Sequence, residues 1–102
     1  MRYGVFVYSV MENREKMNEK NWLVYLLRCS DNSLYCGVSN NIAKRVEEHN
    51  SGLGAKYTRY RRPVILVVTS RDMSKGDAFR LEYQIKKLPA DKKIAELEKW
   101  SS

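Results

Sequence analysis

The sequence predicts a small α+β domain, with a three-stranded, mainly antiparallel sheet flanked by helices in the order β-β-α-α-β-α-α. Two runs rich in aromatic and aliphatic residues, 22–29 and 34–39, lie on either side of the turn-forming stretch 30–33 and predict a β-hairpin. A third apolar run, 64–70, follows Pro63, and the segments between and after the runs carry apolar residues at helical spacing. The whole chain has 102 residues, which is the size of one domain.

The first helix is expected at about 42–50, with Asn40 or Asn41 as its cap. The basic stretch 55–62 is a loop or a short helix. The run 64–70 is almost continuously apolar, which is typical of a strand buried on both faces.

Two more helices complete the prediction. Ser74 begins one of them, with Asp77 three residues later as a weak capping box. Pro89 ends or kinks it, and 90–100 forms the last helix. The residues expected to face the core are Ala78, Leu81, Ile85 and Leu88 on the first, and Ile94 and Leu97 on the second.

Composition limits the classes of partner. Nineteen Lys and Arg residues against twelve Asp and Glu give a net charge of +7, which favours an anionic partner such as nucleic acid over a charge that serves solubility alone. The apolar runs are too short to span a bilayer, and the start lacks a secretory signal, so we expect a cytoplasmic protein that does not bind membranes. We assign 22–100 to the domain and 1–21 to an N-terminal extension of unknown role.

The length of the hairpin loop decides which side chains share a face. With a loop of three or five residues, Tyr25, Cys29 and Tyr35 lie on one face and Cys36 on the other, whereas a loop of two or four residues reverses the position of Cys36. The first case disfavours a Cys29–Cys36 disulfide and the second does not, and free thiols are the default in a reducing cytosol. Two cysteines and one histidine cannot fill a structural zinc site.

Two polar residues of the first helix fall where apolar ones belong. Ile42 and Val46 define the inward stripe, His49 lies on it, and Arg45 lies on its flank. Taken alone, His49 would be interpreted as a structural histidine. Taken alone, Arg45 would extend over the edge of the core or pair with Glu48. Together they indicate a polar site beneath the helix.

Glu82 occupies a similar position in the third predicted helix, on the stripe of Ala78 and Ile85. A buried carboxylate needs a cation or a proton. Lys86, one turn later, is the simplest partner, and a divalent ion such as Mg²⁺ is the functional alternative.

The stretch 55–62 is the densest basic region and interleaves cations with aromatic residues. It is either a solvated loop or a surface that contacts phosphates and stacks on bases. The residues predicted to bind nucleic acid are Lys56, Tyr57, Thr58, Arg59, Arg61 and Arg62.

In order and spacing, several of these features resemble the GIY-YIG nuclease superfamily, and most closely its small single-domain bacterial members. The resemblance covers about 22–88 and includes a GAKYTR-like stretch at 54–59. Leu23 stands where the family name has glycine, and Cys36 where it has isoleucine. The residues that carry the resemblance are Val24, Tyr25, Tyr35, Gly37, Arg45, His49 and Glu82.

The resemblance implies a GIY-YIG-like fold and an endonuclease that hydrolyses DNA phosphodiesters with one Mg²⁺ or Mn²⁺ ion held by Glu82. It implies Tyr25 as the general base, Tyr35 orienting water or phosphate, Arg45 stabilising the transition state and His49 forming a hydrogen bond at the site. We expect a monomer that recognises DNA structure, branched or containing single strands, and the sequence identifies no protein partner. The alternatives are a weakly active or inactive nucleic-acid-binding module and, third, an adaptor for a protein.

Overall fold

The computed structural model describes residues 20–101, so the predicted extension 1–21 lies almost entirely outside the described residues. Its centre is an antiparallel sheet with the strand order β2-β1-β3. The strands are β1 (Leu23–Arg28), β2 (Leu34–Ser39) and β3 (Ile65–Thr69). The helices are α1 (Ile42–Asn50), α2 (Lys56–Arg59), α3 (Lys75–Lys86) and α4 (Ala90–Glu98). The predicted element order is confirmed.

The hairpin register settles the question of the faces. Arg28 pairs with Leu34, which leaves the five residues 29–33 in the loop. Cys36 pairs with Leu26 on one face of the sheet, and Tyr35 pairs with Leu27 on the other. The loop of five residues selects the case in which Tyr25, Cys29 and Tyr35 share one face, and both cysteines are free.

Each face of the sheet has its own core. On one face, α3 and α4 pack against Val24 and Leu26 through the residues predicted for their stripes, including Ala78, Leu81, Ile85 and Leu97. On the other face, Ile42 and Val46 of α1 pack against a smaller cluster formed by Tyr25, Leu27, Cys29 and Val64. The caps are also as predicted, because Asn41 accepts from Lys44 N–H and Ser74 from Asp77 N–H.

The predicted burial of 64–70 on both faces is wrong. In the described part of the chain β3 pairs only with β1, and it forms an edge of the sheet. Ile65 is 66% exposed and Leu66 39% exposed, whereas Val64 and Ser70 at the ends of the run are buried. The apolar composition indicated a strand correctly, but its position in the sheet depends on pairing with a strand about forty residues earlier.

Within residues 20–101, every helix is too short or too polar to cross a membrane.

Candidate active site

Two tyrosines and the single histidine form one aromatic cluster on the α1 face of the sheet. The ring centroid of His49 lies 5.9 Å from that of Tyr25 and 5.1 Å from that of Tyr35. The two tyrosine centroids are 6.4 Å apart. The structure therefore brings together three of the predicted site residues, two from the hairpin and one from the end of α1.

Two glycines permit this close packing. Gly37 lies opposite Tyr25 in the hairpin, and a β-carbon there would overlap the tyrosine hydroxyl. A β-carbon at Gly54 would overlap the His49 ring at Nδ1. Both positions need glycine for the space it leaves beside the ring.

His49 is fully buried and has a partner at each ring nitrogen. Its Nε2 lies 2.8 Å from the Tyr25 hydroxyl and its Nδ1 lies 2.8 Å from the hydroxyl of Thr58. Burial lowers the pKa of His49, and the positive charge of Arg45 lowers it further. The imidazole is therefore neutral at physiological pH.

The two tyrosines differ in access to solvent. Tyr25 has no exposed surface, and burial raises its pKa to about 12 although the neighbouring Arg45 guanidinium opposes the shift. Tyr35 is partly exposed, and its pKa is raised by burial and lowered by the charges of Lys86 and Arg45. Of the two hydroxyls, only that of Tyr35 belongs to a side chain that reaches solvent.

Arg45 stands between the cluster and solvent, with 32% of its side chain exposed. The neighbouring Tyr25 raises the pKa of Arg45, so its positive charge is secure. Its contact with Glu48 is loose at 4.0 Å. The guanidinium therefore keeps donor capacity for an anionic ligand.

Glu82 reaches the same region from α3, which packs against β2. Its carboxylate lies 3.6 Å from Lys86 Nζ, so Glu82 forms the ion pair with Lys86 that the sequence offered as the simpler alternative. The pair is not remote from the tyrosines, because Lys86 and Tyr35 line the same cavity and the charges of Lys86 and Glu82 both act on the pKa of Tyr35. The ion pair therefore borders the cluster.

The residues present fit a divalent ion only if water and the substrate supply most of its ligands. Residues 20–101 contain no group of three or more His, Cys, Asp or Glu side chains placed to share an ion. One partly exposed carboxylate is still sufficient for Mg²⁺ when water and substrate phosphate oxygens complete the coordination. The site thus suits an ion that binds together with its substrate.

A cavity of about 220 Å³ opens beside Tyr35 and the Glu82–Lys86 pair. Lys93 of α4 lies on its wall and is fixed there, since its ammonium donates to the carbonyls of Ile85 and Lys86 at 2.9 and 3.0 Å. The lining residues are Leu34, Tyr35, Cys36, Tyr57, Lys86 and Lys93.

The predicted nucleic-acid-binding stretch divides into exposed and anchored residues. Lys56 and Arg59 are exposed, and Tyr57 is 39% exposed while stacking on Tyr35 at 6.0 Å. Arg61 donates to Asp31 and to the Tyr57 carbonyl at 2.9 and 2.8 Å, and its guanidinium lies 3.9 Å from the Tyr57 ring centroid.

Arg62 also contacts the protein itself, because it donates to the carbonyls of Arg59 and Asn50. Thr58 is fully buried against His49, away from any surface that nucleic acid could reach. The sequence did not predict this internal contact, and the only signal for it was the position of Thr58 in the GAKYTR-like stretch.

Comparison with known proteins gives consistent relationships. The sequence profile described as the GIY-YIG catalytic domain matches residues 21–95. A UPF0213 protein from Nitratidesulfovibrio vulgaris is 53% identical over 74 residues, which is 72% of this chain and 67% of that protein. The UPF0213 protein SH2523 from Staphylococcus haemolyticus is 47% identical over 75 residues, 74% of this chain and 92% of that protein.

Among solved structures, the solution NMR structure of protein EF2693 from E. faecalis is similar, with a TM-score of 0.56 and 40% identity. The match covers 81% of this chain and 88% of that one. None of these names states an activity.

Proposed function

We propose, since this chain belongs to the GIY-YIG family of nuclease-type catalytic domains, that it is an endonuclease that hydrolyses DNA phosphodiesters with the help of one Mg²⁺ or Mn²⁺ ion. The observation that supports this most strongly is the gathering of Tyr25, Tyr35, His49 and Arg45 in one cluster, bordered by Glu82. Three separate elements, the hairpin, α1 and α3, supply these residues.

The charges around the cavity suit a phosphodiester. Arg45 and Lys86 are both partly exposed cations beside Tyr35, and they would face the scissile phosphate. Lys56 and Arg59 on α2 would hold neighbouring phosphates without reading sequence. The Tyr57 ring already contacts Tyr35 and Arg61, so stacking on an unpaired base falls to Tyr60, which follows α2 and is 84% exposed. We therefore propose a substrate selected by structure, with unpaired nucleotides near the cut.

The burial of Tyr25 changes the expected roles of the two tyrosines. A general base must touch the water from which it takes a proton. Tyr25 has no exposed surface, so we assign contact with the attacking water to Tyr35. Tyr25 instead supports Arg45. Arg45 stabilises the extra negative charge of the transition state. A divalent ion at Glu82 would neutralise the scissile phosphate and make the bound water more acidic.

A cleavage assay with Mg²⁺ or Mn²⁺ on single-stranded, duplex, flap and branched DNA tests the proposal. We expect Glu82→Gln to lose at least about a hundredfold in rate while its DNA affinity is unchanged or higher, because the loss falls on the charge-stabilising step alone. Glu96→Gln is the matched control, since Glu96 of α4 forms an ion pair with Lys99, the residue that follows the helix. A similar loss in both variants, or none in Glu82→Gln, argues against the assignment.

A nucleic-acid-binding module without useful catalysis is the second candidate. Two observations favour it, the pairing of Glu82 with Lys86 and the complete burial of Tyr25. DNA binding with no metal-dependent cleavage on any of the four substrates would select this candidate and reject the endonuclease.

A further inference from the structure

We propose that Thr58 is a positioning residue: it fixes which nitrogen of His49 carries the proton, and through Tyr25 it directs Arg45. The proton arrangement is independent of the proposed function. Only its consequence for Arg45 during cleavage rests on that function.

The first step concerns the single hydrogen of the Thr58 hydroxyl. Thr58 is fully buried, and its Oγ1 lies 3.0 Å from the carbonyl oxygen of Ala55 and 2.8 Å from His49 Nδ1. A carbonyl oxygen can only accept a hydrogen bond. When Thr58 donates to Ala55, its oxygen can only accept from His49, so the histidine proton lies on Nδ1.

The second step follows at the other ring nitrogen. With the proton on Nδ1, Nε2 is an acceptor and receives the hydroxyl hydrogen of Tyr25 over 2.8 Å. The oxygen of Tyr25 is then free to accept from Arg45, whose guanidinium can only donate. The hydrogen bonds run in one direction, from Tyr25 through His49 and Thr58 to the Ala55 carbonyl, and the lone pairs of the Tyr25 oxygen are left to the nearby charge of Arg45.

The opposite tautomer satisfies fewer groups. The Ala55 N–H approaches Nδ1 at 3.4 Å and would favour a proton on Nε2. Nε2–H would then donate to the Tyr25 oxygen, and residues 20–101 offer the Tyr25 hydroxyl hydrogen no other acceptor. Leaving a buried hydroxyl hydrogen without a partner is more costly than losing a long contact at 3.4 Å. The geometry therefore favours the proton on Nδ1.

Nitrogen-15 NMR of the intact protein tests this directly. The chain contains one histidine, so its imidazole signals need no assignment. At pH 7.5, wild type and Thr58→Ser are expected to show the Nδ1–H tautomer. Thr58→Val keeps the shape of the side chain but removes the hydroxyl, so its population should move toward Nε2–H. A wild-type protein in the Nε2–H form overturns the proposal, as does an unchanged tautomer in folded Thr58→Val.

The wild-type and Thr58→Ser spectra remain decisive if Thr58→Val does not fold. With the active protein, Thr58→Val should lower the cleavage rate by about tenfold at unchanged DNA affinity, and Thr58→Ser should restore it. A tautomer change without a rate change would refute the link to Arg45. If wild type cleaves nothing, the proposed function fails, whereas the spectra still decide the tautomer.

Discussion

At the residue scale, the site combines buried groups that hold each other with exposed groups that can meet a ligand. Tyr25 and His49 are completely buried and hydrogen-bonded to each other. Tyr35, Arg45 and Glu82 each keep some exposed surface. This division predicts that conservative substitutions in the two groups have different consequences.

Replacing each tyrosine by phenylalanine separates their roles. Tyr35→Phe should lower the cleavage rate by about a hundredfold or more with little change in stability, because it removes the hydroxyl assigned to the attacking water. Tyr25→Phe should lower the free energy of unfolding by about 1–2 kcal/mol, because it removes the buried hydrogen bond to His49. Urea unfolding and single-turnover cleavage measure both effects. A larger rate loss in Tyr25→Phe would return the role of general base to that residue.

His49 should make folding stability sensitive to pH below neutrality. Its folded pKa lies below the value of about 6.5 for the unfolded chain, because burial and the charge of Arg45 disfavour the imidazolium and Glu48 opposes them only in part. The unfolded state therefore binds the proton first as the pH falls, and stability should decrease from about pH 7 downward until the folded pKa is passed.

The urea midpoint at pH 7.5 and at pH 5.5 measures this decrease. His49→Gln is the control, since it lacks the titrating group, and it should show a smaller difference between the two pH values. Equal differences in both proteins would mean that His49 does not cause the sensitivity.

At the element scale, α2 shows where prediction from the sequence succeeds and where it stops. The hairpin, the cap of α1 at Asn41 and the stripe of α3 were predicted because they depend on neighbouring residues. The exposure of β3 and the burial of Thr58 were not, because each depends on contacts with a distant part of the fold. Thr58 meets His49 because the chain bends between α1 and α2 and Gly54 leaves room for the imidazole ring.

The four cations on and after α2 should therefore differ in their effects on DNA binding and on stability. They are Lys56, Arg59, Arg61 and Arg62. Lys56→Ala and Arg59→Ala should weaken DNA binding at unchanged stability, and each should reduce the slope of log K against log salt concentration by about 0.9, the value for one phosphate contact on duplex DNA. Arg61→Ala should instead lower stability, because Arg61 ties α2 to Asp31 in the hairpin loop. Thermal unfolding and salt titrations distinguish the two groups. Equal salt effects with no stability loss in Arg61→Ala would contradict the division.

At the scale of the whole molecule, one sheet separates two kinds of core. The face toward α3 and α4 contains Leu26 and is built of ordinary apolar packing. The face toward α1 contains Leu27 and also carries the tyrosines of the site. Adjacent residues of β1 thus support different halves of the molecule, although both are fully buried.

Leu26→Ala and Leu27→Ala form a matched pair for this division. Both remove the same buried side chain from the central strand, so each should lower the free energy of unfolding by about 2–5 kcal/mol. Leu27→Ala leaves a cavity beside Tyr25 and Tyr35, whereas the cavity of Leu26→Ala lies beneath α3, which carries Glu82. At saturating Mg²⁺ and equal folded fraction, Leu27→Ala should therefore lose more cleavage rate than Leu26→Ala, by on the order of tenfold. Unfolding curves together with cleavage rates at a temperature where both variants are folded measure the difference. Equal rate losses would show that the two halves do not act separately, and that the whole sheet positions the site.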